Sequence, residues 1–178
     1  MHLYRNLVNI IAFQAGWFAA VLGAAHGMPW LGLIAVPLVL AVHFILSPHK
    51  KAEAYLVVSA GVIGFCVDTV LVFVDLFTPV PYLLPHPFSP PWMVLLWMNF
   101  ATALNVSLKS LHGRYLLSSI LGAIGGPFAY YSGAKLGATV TIPVGSDFFV
   151  LAMAWSAAVP ALFWIAGHIN QKHIPKSF

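Results

Sequence analysis

An aspartate inside a long apolar stretch is the residue of this chain best suited to chemistry. Asp68 lies in the run Gly64-Phe-Cys-Val-Asp68-Thr69. If this stretch is a helix that begins near residue 54, Asp68 lies about 21 Å along it. A carboxylate that faces lipid at such a depth costs at least ~2.5–3.5 kcal/mol. We therefore expect Asp68 to face the interior of a helix bundle, either as a central acid or proton acceptor or as a structural hydrogen-bond donor.

A stripe of polar residues follows one face of the next apolar stretch. Asn99, Thr102 and Asn105 are three residues apart, which places them on the same side of a helix. Asn99 is level with Asp68 if the two helices are antiparallel. Such a stripe lines a cavity or supplies hydrogen bonds between membrane helices, and the sequence leaves both interpretations open.

Aromatic residues on the last two apolar stretches reach the same level. They are Tyr130, Tyr131 and Trp155. We predict a pocket in which Asn99 and Tyr130 orient the polar part of a ligand, while Tyr131 and Trp155 pack against its body. The expected ligand is amphipathic, such as a lipid or a fatty-acyl compound.

Other polar residues are further candidates for ligand contacts. Asp75 follows Asp68 by seven residues, about 10 Å further along the same helix face, and is expected at the mouth of a path to it. The pocket around Asp68 is expected in the outer half of the bundle. Asn9 and Gln14, together with His43, fall in the inner, cytoplasmic half. His43 is either a proton relay or a core histidine with a hydrogen-bond partner.

The composition indicates that membrane helices position these residues. Hydrophobic residues make up 61% of the chain and charged residues 7%, whereas soluble proteins have about 25% charged residues. Six apolar stretches are each close to the ~20 residues that cross a membrane. We predict an all-α fold, a single domain over residues 1–178 that forms a polytopic bundle of six transmembrane helices. The predicted spans are residues 6–25, 29–47, 54–77, 91–108, 115–133 and 146–168.

The basic residues predict the orientation of this bundle. With the spans threaded alternately, seven of the eight Lys and Arg residues fall on one side and only Lys135 falls on the other. Because short cytoplasmic loops are rich in Lys and Arg, both termini are expected to be cytoplasmic. The net charge of +4 then reflects anchoring and attraction to anionic lipids, not nucleic-acid binding. The seven residues are Arg5, Lys50, Lys51, Lys109, Arg114, Lys172 and Lys176.

Three segments have alternative interpretations. Arg5 and the small residues at 23–25 mimic a signal peptide, but Asn9 and Gln14 interrupt its apolar core, so we expect a retained helix. The loop 78–91 contains six of the thirteen prolines and should lie at the outer surface over a cavity. Pro127 predicts either a kinked packing helix or a discontinuous helix that lines a site.

The sequence lacks the motifs of several catalytic classes. Cys66 is the single cysteine, and the histidines lack the spacing of a zinc-binding helix, so we predict no disulfide and no metal. There is no phosphate-binding glycine loop with a lysine and no Gly-x-Ser-x-Gly nucleophile motif. No cofactor is predicted, and whether the protein is an enzyme stays open.

Four motifs resemble those of a known family. They are Asn9-x4-Gln14-x2-Trp17, Gly64-x3-Asp68, Pro91-Trp92-Met93 with Trp97, and Gly122-Ala-Ile-Gly-Gly126-Pro127-x2-Tyr130-x2-Gly133. On these residues the chain resembles domain-of-unknown-function family 2878 over nearly its whole length. The resemblance implies a multi-pass protein of the bacterial inner membrane. It also implies a role beside cyclopropane-fatty-acid-synthase-like enzymes, in the modification of membrane lipids.

A second resemblance concerns the architecture. Six short helices with Gly-x3-Asp in the third are similar to the substrate-capturing subunits of energy-coupling-factor vitamin transporters. This implies a partner membrane protein docked on small residues of the first helix, namely Ala12, Ala15, Ala19 and Ala20. Three functions therefore stay open. They are binding or modifying an amphipathic molecule in membrane lipid metabolism, capturing or transporting a hydrophobic vitamin-like solute, and structural support of a membrane complex or homo-oligomer.

Overall fold

The protein is helical in the residues that the computed structural model describes, which are 2–141 and 144–173. Within these residues there are six α-helices and one short 3₁₀ helix, so the predicted all-α fold is confirmed. The α-helices are α1 His2–Ala25, α2 Trp30–Leu46, α3 Lys50–Phe73, α4 Pro91–Leu104, α5 Tyr115–Lys135 and α6 Ser146–His173. The 3₁₀ helix is Lys109–Leu111.

Three of the helices in the described part of the chain are long and apolar enough to cross a membrane. They are α1 from Leu3 onwards, α3 and α6. Helices α2 and α4 are apolar but shorter, with 17 and 14 residues. Helix α5 has 21 residues and is not one of the three. These lengths and compositions are those of a membrane protein.

Helix α4 lies at the centre of the bundle. It packs against α1, α2 and α3 and also touches α6, and eight of its 14 residues are buried. The other helices form a row around it in the order α1, α2, α3, α6, α5, because each packs on its neighbour in that order. Helices α1 and α5, at the two ends of the row, do not pack against each other along their length.

The two ends of the bundle differ in charge. The terminal face carries the start of α1, the end of α6 and the loops 47–49 and 105–114, while the loop face carries the loops 26–29 and 74–90 and the described loop residues 136–141 and 144–145. Lys135 is at the loop face, whereas six of the seven grouped basic residues are at the terminal face. The seventh, Lys176, lies outside the described residues.

Polar side chains determine where α4 ends. The helix stops at Leu104, four residues before the predicted end of its span. Beyond it, Asn105 Nδ2 donates to Glu53 Oε1 at 3.1 Å and Ser107 Oγ donates to Asn9 Oδ1 at 2.8 Å. Because these hydrogen bonds reach other helices, the backbone leaves the regular helical path that hydropathy alone predicts.

Two other helices differ from the expectations. Helix α5 continues without interruption from Tyr115 to Lys135, so the alternative of a helix broken at Pro127 is wrong. Helix α3 ends at Phe73, and Asp75 lies beyond it with a positive φ of 56°. The spacing predicts that Asp75 continues the helix face of Asp68. This prediction is wrong, because Asp75 lies outside the helix.

The proline-rich loop is tied to the loop that follows α5. Val80 N–H donates to Ala138 O at 3.0 Å and Val140 N–H donates to Thr78 O at 2.8 Å, as in an antiparallel bridge. Ser89 N–H donates to Thr69 Oγ1 at 3.1 Å. These contacts hold the two loops together over the loop-face ends of α3, α4 and α5.

Candidate functional site

A cleft of about 870 Å³ lies between α1 and α5, and α4 forms its floor. This volume is within the ~300–1,000 Å³ of typical small-molecule sites. The lining is rich in aromatic residues from four helices, which are Phe13, Trp17, Phe18, Trp92, Trp97, Phe100, Phe128, Tyr130, Tyr131 and Trp155.

The cleft opens sideways, between the two helices that flank it. At the loop face these helices come close, since a Cβ added to Gly133 would lie 4.0 Å from Val21 Cγ1 and one added to Gly137 would lie 3.5 Å from Ala25 Cβ. Along the opening, Phe18 is 46% exposed and Phe128 is 62% exposed, and both line the cleft. The opening therefore has apolar edges, as expected of a surface that faces lipid.

Asp68 lies in the wall of the cleft and is 0% exposed. Its carboxylate accepts a hydrogen bond from Trp97 Nε1 at 3.0 Å and a second one from the Tyr130 hydroxyl. Ser89, also fully buried, lies beside the same group. The carboxylate is therefore joined to two aromatic side chains, Trp97 and Tyr130, that line the same cleft.

A glycine one turn before Asp68 makes this arrangement possible. A Cβ on Gly64 would overlap the indole ring of Trp97. Without one, the indole lies flat on α3, and its Nε1 reaches the carboxylate of the residue four positions later. In the Gly64-x3-Asp68 motif, the glycine thus leaves space for the indole of Trp97 and the aspartate accepts its hydrogen bond.

A second glycine has the same role on α5. A Cβ on Gly126 would overlap the indole of Trp155, so this ring also lies directly on a helix backbone. Trp155 stacks on Trp97 with 4.3 Å between ring centroids and an interplanar angle of 19°, and it meets Tyr130 edge-on at 6.2 Å. Trp97 and Tyr130 are therefore fixed by Asp68 and by contacts with Trp155, and Gly64 and Gly126 leave the space that the two indole rings occupy.

Gly64, Asp68, Trp97, Gly126 and Tyr130 belong to the motifs that the sequence shares with a known family, whereas Trp155 lies outside them. The sequence model of the family described as protein of unknown function, DUF2878, matches residues 6–161. The chain belongs to this family. No curated protein and no solved structure matches it. The similarity to energy-coupling-factor subunits stays a prediction.

Five of the ten predicted site residues of this DUF2878 protein line the cleft. Gln14 contributes from α1, and Asp68 from α3. Tyr130 and Tyr131 contribute from α5, and Trp155 from α6. Sequence reasoning placed all but Gln14 in one pocket, because they lie at similar depths on different helices.

The polar stripe of α4 is not among the described residues that line the cleft. Asn99 Nδ2 donates to Phe13 O at 2.9 Å, and Asn9 Nδ2 donates to Thr102 O at 3.0 Å. Thr102 Oγ1 donates to Asn99 O, within its own helix, at 2.7 Å. This geometry corresponds to the interhelical interpretation of the stripe, in which amide side chains join α1 to α4.

A second buried carboxylate, Glu53, organises the terminal-face half of the bundle. Glu53 Oε2 lies 3.1 Å from His43 Nε2, and Glu53 Oε1 accepts from Asn105 Nδ2 at 3.1 Å. Asn105 Oδ1 in turn accepts from Asn170 Nδ2 at 3.0 Å. These four residues, here called the Glu53 network, link α2, α3, α6 and the segment after α4. His43 is therefore a core histidine with a partner.

Sequence reasoning missed Glu53, because an acid in the first turn of a helix is normally a solvated residue near the positive end of the helix dipole. The available signal was His43, ten residues earlier across a short loop that makes α2 and α3 antiparallel.

Within the described residues, no group of three or more His, Cys, Asp or Glu side chains could hold a metal ion.

Asp75 lies apart from both carboxylate sites. Its side chain is 90% exposed at the loop face, 3.9 Å from His86 Nε2. It is not among the described residues that line the cleft. Its position is that of a solvated loop residue.

Proposed function

We propose that this DUF2878 protein is a six-span protein of the bacterial inner membrane that binds an amphipathic molecule, a lipid or a fatty-acyl compound, in the cleft between α1 and α5. The observation that carries the proposal is a large aromatic cleft that opens between two apolar helices. A molecule dissolved in the bilayer would enter such a cleft directly, without crossing water. The protein would then serve membrane lipid metabolism, by presenting or by modifying this molecule.

The six-span topology is supported by the packing of the shorter helices. Helices α2 and α4 pack beside α1 and α3, which are of membrane-spanning length, and α5 packs along α6. Helix α4 is only about 21 Å long, but other helices surround it, and the segment 105–114 that follows it lies at the terminal face. The basic residues of the terminal face support cytoplasmic termini.

The lining of the cleft supports an amphipathic ligand. Its walls are mostly aromatic and aliphatic, and a few polar side chains are placed among them. Small-molecule sites have this pattern, in which apolar walls provide affinity and sparse polar groups fix the orientation. Gln14 and Tyr131 are polar groups that the lining places on opposite walls, one on α1 and one on α5.

Asp68 acts in this proposal as a positioning residue. It is fully buried, and the two side chains that it fixes, Trp97 and Tyr130, form the wall of the cleft. Both carboxylate oxygens already accept a hydrogen bond, one from Trp97 and one from Tyr130. Binding alone requires only that Asp68 hold the wall in shape.

Two matched glycine variants test whether the cleft is the binding site. A Cβ added to Gly125 or to Gly167 meets no atom within 4 Å, but only Gly125 lines the cleft. Both variants replace a helical glycine by leucine, so both change helix propensity in the same way. We expect native mass spectrometry of gently extracted wild-type protein to show a retained lipid or acyl compound. Gly125→Leu should lose it, and Gly167→Leu should keep it.

The same experiment separates the proposal from its alternatives. Retention of the ligand by Gly125→Leu, or a wild-type protein without any bound molecule, would contradict a binding role for the cleft. Co-purification of a second membrane protein with a bound vitamin-like solute would favour the substrate-capturing subunit. A partner without any small molecule would favour a structural accessory.

Single cysteines test the topology. In a Cys66→Ser background, Ser110→Cys lies at the terminal face and Leu83→Cys lies at the loop face. We expect a membrane-impermeant maleimide, added from the periplasmic side of spheroplasts, to label the cysteine at 83 and to leave the cysteine at 110 unlabelled until the membrane is opened. The reverse labelling, or equal labelling of both, would contradict the orientation.

A further inference from the structure

The polarity of the cleft changes along its length. Its terminal-face end is aliphatic, and the lining residues there are Leu108, Leu111 and Leu121. Its loop-face end carries hydroxyl groups and a cation, and the lining residues there are Tyr131, Ser132, Lys135 and Thr139. An amphipathic molecule in the cleft therefore has one favoured orientation.

Lys135 stands out among the residues of the loop-face end. It lies in the last turn of α5, and its Nζ is 5.4 Å from the centre of the Tyr131 ring. In the described part of the chain it forms no ion pair with a carboxylate. The acids at this face have other contacts, because Asp75 lies near His86 and Asp147 Oδ2 accepts from Val144 N–H at 3.2 Å. Lys135 is thus a cation at the end of an apolar cleft, in contact with an aromatic ring and without a carboxylate partner among the described residues.

We propose that the cleft selects a lipid or acyl compound with an anionic head, a carboxylate or a phosphate, which binds the ammonium group of Lys135. This inference rests on the proposed function and adds the charge and the direction of the ligand. The hydroxyl of Tyr131 or Ser132 supplies a further donor at the same end. The hydrocarbon tail then points along α5 towards Leu121 and the terminal face.

The length of the cleft fits one hydrocarbon chain. Fifteen residues separate Leu121 from Leu136, both of which line it, and this corresponds to about 22 Å of helix. One acyl chain spans half of the hydrocarbon layer, about 15 Å. A head at Lys135 thus leaves room for the whole tail within the cleft. The head would come from the leaflet at the loop face.

Tryptophan quenching can measure this binding. Four of the six tryptophans line the cleft, whereas Trp30 and Trp164 are exposed and do not. In a Trp30→Phe, Trp164→Phe background, purified protein in detergent is titrated with a brominated fatty acid and with its methyl ester. The ester has the same tail but lacks the charge. A brominated lysophosphatidic acid, which also has one acyl chain, then distinguishes a phospholipid phosphate from a fatty-acid carboxylate as the source of the anion.

Variants of Lys135 test whether its ammonium group recognises the negative charge of the ligand. We expect Lys135→Met to weaken binding of the acid by about fivefold, which is near the upper end of the range for an exposed ion pair, and to leave binding of the ester unchanged. Lys135→Arg should bind like the wild type. Lys135→Glu should favour a brominated alkyl ammonium over the acid. Lys50→Met, which removes a charge at the terminal face, is the matched control and should change nothing.

The outcomes separate this inference from the proposed function. If the ester binds the wild type as tightly as the acid, or if Lys135→Met weakens both equally, the charge assignment is overturned while the cleft remains a site. If neither compound quenches the wild type, and Gly125→Leu changes nothing, the proposed function itself is contradicted. Selective loss of the acid in Lys135→Met, with recovery in Lys135→Arg, supports the inference.

Discussion

Glu53 and Asp68 are both buried carboxylates, yet they have opposite kinds of surroundings. Glu53 contacts an imidazole and an amide, His43 and Asn105, and Asn170 extends the chain of hydrogen bonds to α6. The crevice near His43 has a volume of only about 30 Å³, roughly that of one water molecule. The space around Glu53 is therefore filled, and polar groups there join four segments of the chain.

Asp68 accepts hydrogen bonds from two aromatic donors, Trp97 and Tyr130, beside a cleft of about 870 Å³. These rings occupy space on helix surfaces that glycines leave free, and they stack on Trp155. The comparison shows that a buried acid alone does not identify a functional site. What distinguishes Asp68 is that its hydrogen-bond donors are also the wall of a void.

The largest expected effect on stability is at Glu53, because its carboxylate joins α3 to α2 and to the segment after α4. Glu53→Met keeps the length of the side chain but removes the acceptor of Asn105 and the partner of His43. Two buried polar groups then lack partners, and we expect the free energy of unfolding to fall by about 3 kcal/mol. Ligand retention per folded molecule should not change, since the cleft lies elsewhere. Unfolding in mixed micelles and native mass spectrometry measure the two quantities.

Glu53→Gln is the matched control for this prediction. Its amide oxygen can accept from Asn105, and its NH₂ group can donate to a neutral His43, so most of the stability should return. A Glu53→Met protein that is as stable as the wild type would contradict the structural role of the Glu53 network. One that loses the ligand while folded would contradict the separation of this network from the cleft.

The next effect is at Asp68, where stability and binding should change together. Asp68→Leu removes the acceptor for Trp97 Nε1 and for the Tyr130 hydroxyl, and we expect a loss of about 2 kcal/mol in the free energy of unfolding. The two rings are then free to turn into the cleft, so ligand retention should also fall. Tryptophan fluorescence in the Trp30→Phe, Trp164→Phe background reports the change around Trp97.

Asp68→Asn distinguishes positioning from chemistry at the same residue. The amide oxygen can accept from Trp97, and the NH₂ group can donate to the Tyr130 oxygen, so the wall keeps its shape. If Asp68 only positions the wall, this variant should fold and bind the ligand like the wild type. If it accepts a proton during a reaction, the variant should bind the ligand and form no product. Loss of binding in a folded Asp68→Asn protein would oppose both roles.

Much of the helical framework could be predicted from hydropathy. The spans predicted at 6–25, 29–47 and 115–133 lie close to α1, α2 and α5, because apolar side chains determine these helices. The end of α4 could not be predicted in this way, since Asn105 and Ser107 bond to residues far along the chain. Hydropathy counts each residue by itself and contains no information about such partners.

The candidate site was partly predictable, because the depth of a residue along a helix can be counted from the sequence. Depth along a helix correctly brought Tyr130 and Trp155 to the level of Asp68, but depth does not state which way a side chain points. Asn99 is at the same level, yet its amide faces α1 and bonds to the Phe13 carbonyl. A pocket was predicted, but its position between α1 and α5 was not, because it lies where two helices do not pack together and no single residue of the sequence indicates this.

Asn170 should show the smallest effect and thereby give the scale of a single contact in the Glu53 network. Its Nδ2 donates to Asn105 Oδ1, while its own Oδ1 is buried without a partner in the described part of the chain. Asn170→Ala removes one hydrogen bond and one unsatisfied oxygen, so the two effects partly cancel. We expect a loss of about 0.6 kcal/mol, the average for hydrogen bonds between membrane helices, with unchanged ligand retention. A loss as large as that of Glu53→Met would mean that the network acts as one cooperative unit, because removal of its last member would then release the others.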